Sequence, residues 1–433
     1  MQKSYLISIV LLVVSFFFIQ MFFTKSDKNK VFIRFVLFSL PFLSIELFPS
    51  FGSFTIFELL TIIFYVLFYQ SKIENVKNRT TYLIVFSLLT FVILLGVFNA
   101  SSLSNDTWVA LIQYISIFCY AKILIDECFE NVIFYKSVVN TLKFVSIFSL
   151  IFLMCQLVFG IEFSFERSLN SNVMVLDVIR YPSFFQDPQK YAQFLAATSF
   201  LFLIKDNDHI QLPIINYIFF FLLFFALLFT GGRAGLAGWC IGVFIYILFV
   251  NKYFKIFSII TILFLFLLLY NYSESFAMFK RSSLEDAYDF RLSIWQDAIK
   301  IFTNHPFLGI GIGNYANYVT VHNPDQFWVT DNRITYFSHP ESGYLKFLTE
   351  FGIIGFILVI ILLFLPIIRG FYNFSINKDI NIILIISALS SWLVGFYSVY
   401  SFDDARIRVL VVTLICFLIT FFHKESLPKK IHF

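Results

Sequence analysis

The chain has 433 residues, of which 59% are hydrophobic, 13% are charged and 63 are phenylalanine, and its mean hydropathy is +0.83. Soluble domains carry about 25% charged residues and less apolar content, so a soluble globular protein is excluded. The formal net charge of +4 sits in loops between apolar runs, which argues for membrane orientation as its cause and against a nucleic-acid partner.

Runs such as residues 4–23 and 256–272 have about the length that crosses a hydrocarbon core as helix. They do not alternate as β-barrel strands do. The sequence therefore predicts an all-α polytopic integral membrane protein with about 12–13 transmembrane helices. In order, the predicted spans are 4–23, 31–48, 54–69, 82–98, 108–125, 138–159, 191–204, 213–230, 234–250, 256–272, 344–368, 380–400 and 407–422. The first follows a single Lys3 and lacks a small-residue cleavage site, which predicts a retained helix. Five cysteines, mostly inside apolar runs, form no CxxC pair, so no metal site, disulfide or cofactor is expected.

Connector charge alternates along the chain. Lys25, Lys28 and Lys30 mark one connector, Lys72, Lys77 and Arg79 another, and Lys122 and Lys136 a third. Lys205, Lys252, Lys255, Arg369 and Lys378 continue the series to the tail Lys424, Lys429 and Lys430. By the positive-inside rule this set is cytoplasmic. The opposite face then receives residues 160–190, the TGGRAG turn, a polar segment at 273–343 and the stretch 400–408. These segments carry arginines where the rule disfavours them, and binding an anion would explain that. No repeat or linker divides the chain, so it reads as one membrane domain, 1–433, with 273–343 as a long loop on that opposite face containing short helices.

The candidate site residues lie in those segments. Arg233, in FTGGRAGLAGW, follows two glycines that permit a tight turn. Its guanidinium fork suits phosphate, although an arginine snorkelling to headgroups reads the same way. Arg180 lies ahead of Asp187-Pro188, a helix start with a carboxylate N-cap, and is either a ligand or a surface loop charge. Arg291 and Trp295 stand at i, i+4 on a predicted amphipathic helix, 289–302, which suggests packing at the membrane surface. GIGIGNY (309–315) has no preceding strand and reads as a glycine turn, not a dinucleotide fingerprint. His339 and Glu341, just before a span, are alternative proton acceptors for a hydroxyl. His322 is a further loop histidine, and Asp403, Asp404, Arg406 and Arg408 form a charge cluster.

Together these motifs resemble the O-antigen polymerase and O-antigen ligase-like family of bacterial envelope glycosyltransferases. The likeness runs from about residue 160 to 365. RLSIWQDAIKIFTNHPFLGIGIGNY is similar to the family's R-x3-W-x2-A followed by P-x-x-G-x-G, and TGGRAG resembles its arginine turn after a span. Where the ligases show H-N-x-Y/F-L, this chain has ESGYL, with Glu341 in the histidine slot and His339 two residues earlier. That departure favours a polymerase over a ligase. The resemblance implies a multi-pass protein of the bacterial inner membrane with its site facing the periplasm. There, undecaprenyl diphosphate-linked glycan donor and acceptor would meet, with a chain-length regulator protein as a partner. It implies diphosphate binding by Arg180 and Arg233, catalysis by His339 or Glu341, and support from Arg291 and Trp295.

Overall fold

The computed structural model describes residues 3–23, 27–45, 55–70, 79–100, 104–130, 132–164, 174–175, 178–205, 213–250, 256, 285–322, 327–330, 333–336 and 339–421. The predicted span 256–272, the start of the long polar segment and the lysines 25, 72, 77, 252, 255, 424, 429 and 430 lie outside them, apart from Ile256 itself.

Helices dominate, as the apolar runs require in a medium that cannot satisfy open backbone groups. The first six are α1 (Lys3–Phe23), α2 (Lys28–Phe38), α3 (Ile56–Leu67), α4 (Arg79–Asn99), α5 (Asn105–Glu130) and α6 (Val132–Phe159). The predicted span 31–48 is shorter than expected. Pro41 cannot continue a helical ladder, so α2 stops at Phe38 and the chain turns through a 3-10 segment at Leu40–Phe42.

α7 (Pro188–Ser199) is the centre of the bundle. Every one of its side chains except that of Lys190 is buried, and a 3-10 turn, Phe200–Leu203, extends it. α8 (Ile214–Thr230), α9 (Arg233–Phe249) and a later helix, α13 (Ile380–Ser398), pack around it. The α9–α13 contact is backbone to backbone, because a Cβ on Gly238 would lie 2.0 Å from the Ser391 carbonyl oxygen. Small residues serve this purpose in lipid, where close van der Waals packing replaces the hydrophobic drive. Among the described residues five helical stretches are long and apolar enough to cross a membrane: 81–99, 105–128, 134–159, 343–377 and 380–398. The 17-residue α8 and α9 are shorter but equally apolar.

The polar segment folds onto the bundle through α10 (Glu285–Asn304) and α11 (Tyr315–His322), the short helices expected there. Ile294, Ala298 and Ile301 on α10 are buried, as are Ile310, Tyr315 and Val319. An antiparallel hairpin of β3 (Phe327–Thr330) with β4 (Arg333–Tyr336) follows in this segment, and a smaller one, β1 (Met174–Val175) with β2 (Val178–Ile179), lies between α6 and α7.

The glycine turn at 309–313 docks on α12 (Gly343–Asn377), where that helix is broken. Gly352 has φ +62°, and its break leaves carbonyls without helical donors. Ile310 and Gly311 donate to the carbonyls of Thr349 and Glu350, both at 3.0 Å, and Ile353 donates to Pro306 at 2.8 Å. The final helix is α14 (Ala405–Phe421).

The connectors sort to two ends of the bundle. At one, Lys30 pairs with Glu127 at 3.1 Å, Asn29 donates to the Gln70 carbonyl at 2.9 Å, and Lys205 N–H meets Asn381 at 2.9 Å. At the other lie the Gly231–Gly232 turn, the glycine turn at 309–313 and the N-termini of α5, α7 and α12.

Gly352→Val should cost well over the roughly 1–2 kcal/mol of a left-handed L-residue, since its Cβ would lie 2.3 Å from the Phe307 carbonyl oxygen. Gly160, at φ +87° with nothing within 4 Å of its Cβ position, should lose only the conformational term when changed to Ala. Melting of the detergent-purified variants should rank them in that order.

Candidate active site

Three connectors meet at the glycine-rich end. Gln156, at the end of α6, fixes the first. Its amide accepts from Ser183 N–H at 2.8 Å and donates to the Ser183 carbonyl at 2.9 Å, while Ser183 Oγ donates to the Ser149 carbonyl at 2.8 Å. These bonds hold Ser183 at φ +54°. Asp187 then caps α7, accepting from Gln189 N–H at 2.8 Å, as the Asp-Pro pair predicts.

Arg180 lies behind this surface, not on it. It is 1% exposed, and its Nε donates to the Thr230 carbonyl at 2.9 Å. Tyr181 N–H donates to Phe229 at 3.3 Å. The segment is thus tied to the last turn of α8, whose carbonyls have no helical donors of their own. Gly231, at φ +63°, ends α8, and Arg233 opens α9 two residues later. Arg180 therefore braces the turn that presents Arg233.

Arg233 is partly exposed, and the guanidinium of Arg291 on α10 is close enough to repel it electrostatically. Arg291 Nη2 also lies 3.5 Å from Glu341 Oε2. The expected Arg291–Trp295 packing gives way to different partners. Trp295 meets the Tyr397 ring edge-on at 5.5 Å, while Arg291 faces the site.

Glu341 has φ +62°, a conformation that costs a non-glycine residue energy and is held here from both sides. Its N–H donates to His339 Nδ1 at 3.2 Å, and its carbonyl accepts from Tyr400 N–H. With Nδ1 so engaged, the proton of a neutral His339 ring resides on Nε2. Burial, with help from Lys346, drives the His339 pKa down to about 3, so the ring stays neutral. Burial pushes the Glu341 carboxyl above its usual range against the pull of Arg291. Burial likewise raises the Asp187 carboxyl, opposed by Lys190.

The 400–408 stretch closes this end of the bundle. Arg406 embraces Asp404, with Nε–Oδ1 at 2.9 Å and Nη2–Oδ2 at 2.6 Å, donates to the Phe184 carbonyl and lies 4.4 Å from the centre of the Phe185 ring. Arg408 pairs with Glu58 in the interior. Asp403 accepts from Lys190 at 2.6 Å through Oδ2, and Asp403 and His339 line the same cavity. His322 is exposed on α11 and stacks on Tyr318 at 4.2 Å, apart from these groups.

Arg233, Arg291, His339 and Glu341 therefore converge, while Arg180 and Trp295 support the elements that carry them. Sequence reasoning missed Lys190 and Lys346. Each was legible as a lysine one turn inside an otherwise apolar helix, which demands a partner. Residues 218–360 match the family model described as O-antigen ligase. No curated protein matches the chain.

Arg406→Ala should cost about 3–5 kcal/mol, because it leaves Asp404 charged and buried without its partner. Arg233→Ala, at a partly exposed turn, should leave folded yield near wild type. Thermal unfolding and the recovery of monodisperse protein in detergent would measure both.

Proposed function

We propose that this chain, whose residues 218–360 match the family model described as O-antigen ligase, is a member of the O-antigen polymerase and ligase-like family and polymerises lipid-linked oligosaccharide repeat units. The growing glycan on undecaprenyl diphosphate is the donor. A single repeat unit on a second undecaprenyl diphosphate is the acceptor, and the site faces the periplasm of an inner-membrane protein. The reading rests chiefly on Arg233 and Arg291, cations from two connectors whose charges act on each other, with Glu341 3.5 Å from Arg291. A dianionic diphosphate relieves their repulsion, and guanidinium forks donate paired hydrogen bonds to it.

The step needs little else. An acceptor hydroxyl gives its proton to Glu341 and attacks C1 of the donor sugar. The C1–O bond to diphosphate breaks, its electron pair leaving with undecaprenyl diphosphate, whose growing charge Arg233 and Arg291 stabilise. Glu341 suits the base role because burial raises its proton affinity while Arg291 keeps the carboxylate accessible. His339 acts as a positioning residue: its Nδ1 holds the Glu341 backbone, and its lone acceptor is already taken. Arg180 positions the Arg233 turn from behind.

The second reading is transfer of glycan onto a lipid A core, which the description of the matched family favours. Glu341, standing where ligases carry histidine, supports the polymerase. A null strain separates the two: surface glycan of one repeat unit indicates polymerase, and absence of attached glycan indicates ligase.

In that strain, Arg233→Ala and Arg291→Ala should lower chain extension by about 10²–10³ with protein abundance retained. Glu341→Gln should lower it by about 10²–10⁴. Wild-type activity should fall as pH drops through the raised Glu341 pKa, because the base is then protonated. His339→Ala should keep that pH limb but reduce the rate. A normal glycan ladder from Glu341→Gln would remove the proposed base.

A further inference from the structure

Lys190 is the one side chain of α7 that is not buried, and it stands one turn along from Asp187, which caps the helix. Its Nζ lies 2.6 Å from Asp403 Oδ2. With the two side chains 17% and 41% exposed, such a pair contributes little stability of its own. Nor is it needed to fasten the 399–408 stretch to its neighbours. Gln193, the next turn of α7, donates to the Val399 carbonyl at 3.2 Å and accepts from Ser401 Oγ. That hydroxyl accepts from Trp392 Nε1 at 3.1 Å, and Arg406 adds its bond to the Phe184 carbonyl. All four of these bonds are buried. A partly exposed charge pair laid over a seam that they already close acts mainly through its field.

That field falls on Glu341. Tyr400, three residues before Asp403, holds the Glu341 carbonyl through its N–H, and its ring centre lies 5.2 Å from that of His339. Burial is the main influence on the Glu341 carboxyl, and the charged groups acting on it come from three elements: Arg291 on α10, Asp187 and Lys190 at the start of α7, and Asp403. The two cations favour the carboxylate and the two acids oppose it. His339 faces Lys346, Lys190 and Asp403, and being neutral it adds no charge of its own. Lys190 is faced in turn by Asp403, Asp404 and Asp187.

We propose that Lys190 is a positioning residue of the transfer reaction: its ammonium favours the ionised Glu341 base from the α7 side, as Arg291 does from α10, while Asp403 anchors that lysine and tempers it. The proposal rests on Glu341 serving as the base in the reading above. Arg291 is also assigned to the departing diphosphate, so a second cation keeps the carboxylate ionised when the guanidinium turns to substrate.

The test is infrared titration of the Glu341 carboxyl in the full-length purified protein, read as the difference between each protein and the same protein carrying Glu341→Gln. The pH dependence of chain lengthening, with a synthetic lipid-linked repeat unit as substrate, is measured beside it. Lys190→Met removes a cation and should move the titration midpoint, with the acid limb of the rate, up by about half a pH unit or more. Asp403→Asn removes an anion and should move both down. Lys190→Arg keeps the charge and should return them close to wild type. The two neutralising variants break the same ion pair, so a purely structural role predicts the same effect from each. Unmoved midpoints, or shifts of one sign in both, overturn the proposal. If Lys190→Met fails to fold, the downward shift in Asp403→Asn still decides. Midpoints that shift as stated in a protein that lengthens no glycan overturn the polymerase reading instead, and leave the coupling of Lys190 to Glu341 standing.

Discussion

The proposed site depends on Arg233 and Arg291, whose charges oppose one another, lying with Glu341 at one end of the bundle. Nothing about either helix alone favours this. It is imposed by neighbours that are firmly satisfied: Arg180 ties the α8 terminus through the Thr230 carbonyl, and Glu341 draws Arg291 in from α10. In the proposed reading, these charges at the end of a low-dielectric bundle bind the diphosphate of the substrate.

Strain follows the same logic. Ser183 and Glu341 are both non-glycine residues with positive φ, and both are fixed by hydrogen bonds from other segments. At Ser183 the strain sets the path of the connector that carries Arg180. At Glu341 it aims a carboxylate at Arg291 immediately before α12 begins. The break of α12 at Gly352 serves the same end, because the freed carbonyls of Thr349 and Glu350 dock the glycine turn and with it α10. The arginine, the carboxylate and the turn are therefore one mechanical unit, although they come from distant parts of the chain.

Much of this was legible in the sequence. Apolar runs indicated the helices, the Asp187-Pro188 pair the start of α7, and GIGIGNY a turn, because each rests on local chemistry. Roles that depend on burial were not legible. Arg180 reads like Arg233, yet one is 1% exposed and bonded to a carbonyl while the other is partly exposed. The i, i+4 spacing of Arg291 and Trp295 suggested a mutual contact, but tertiary partners, Glu341 and Tyr397, outcompete it. That His339 Nδ1 accepts the Glu341 backbone N–H is likewise not legible from the sequence. Pro41 foreshadows the early end of α2, because a proline outweighs the apolar run that continues past it.

The most direct test is reconstitution of the purified protein with two synthetic substrates, a lipid-linked repeat unit and a longer lipid-linked glycan, without nucleotide sugar. The account predicts lipid-linked oligomers that lengthen by whole repeat units, with one undecaprenyl diphosphate released for each bond made. Release of undecaprenyl diphosphate without lengthening, or glycan appearing only on added lipid A core, would contradict it.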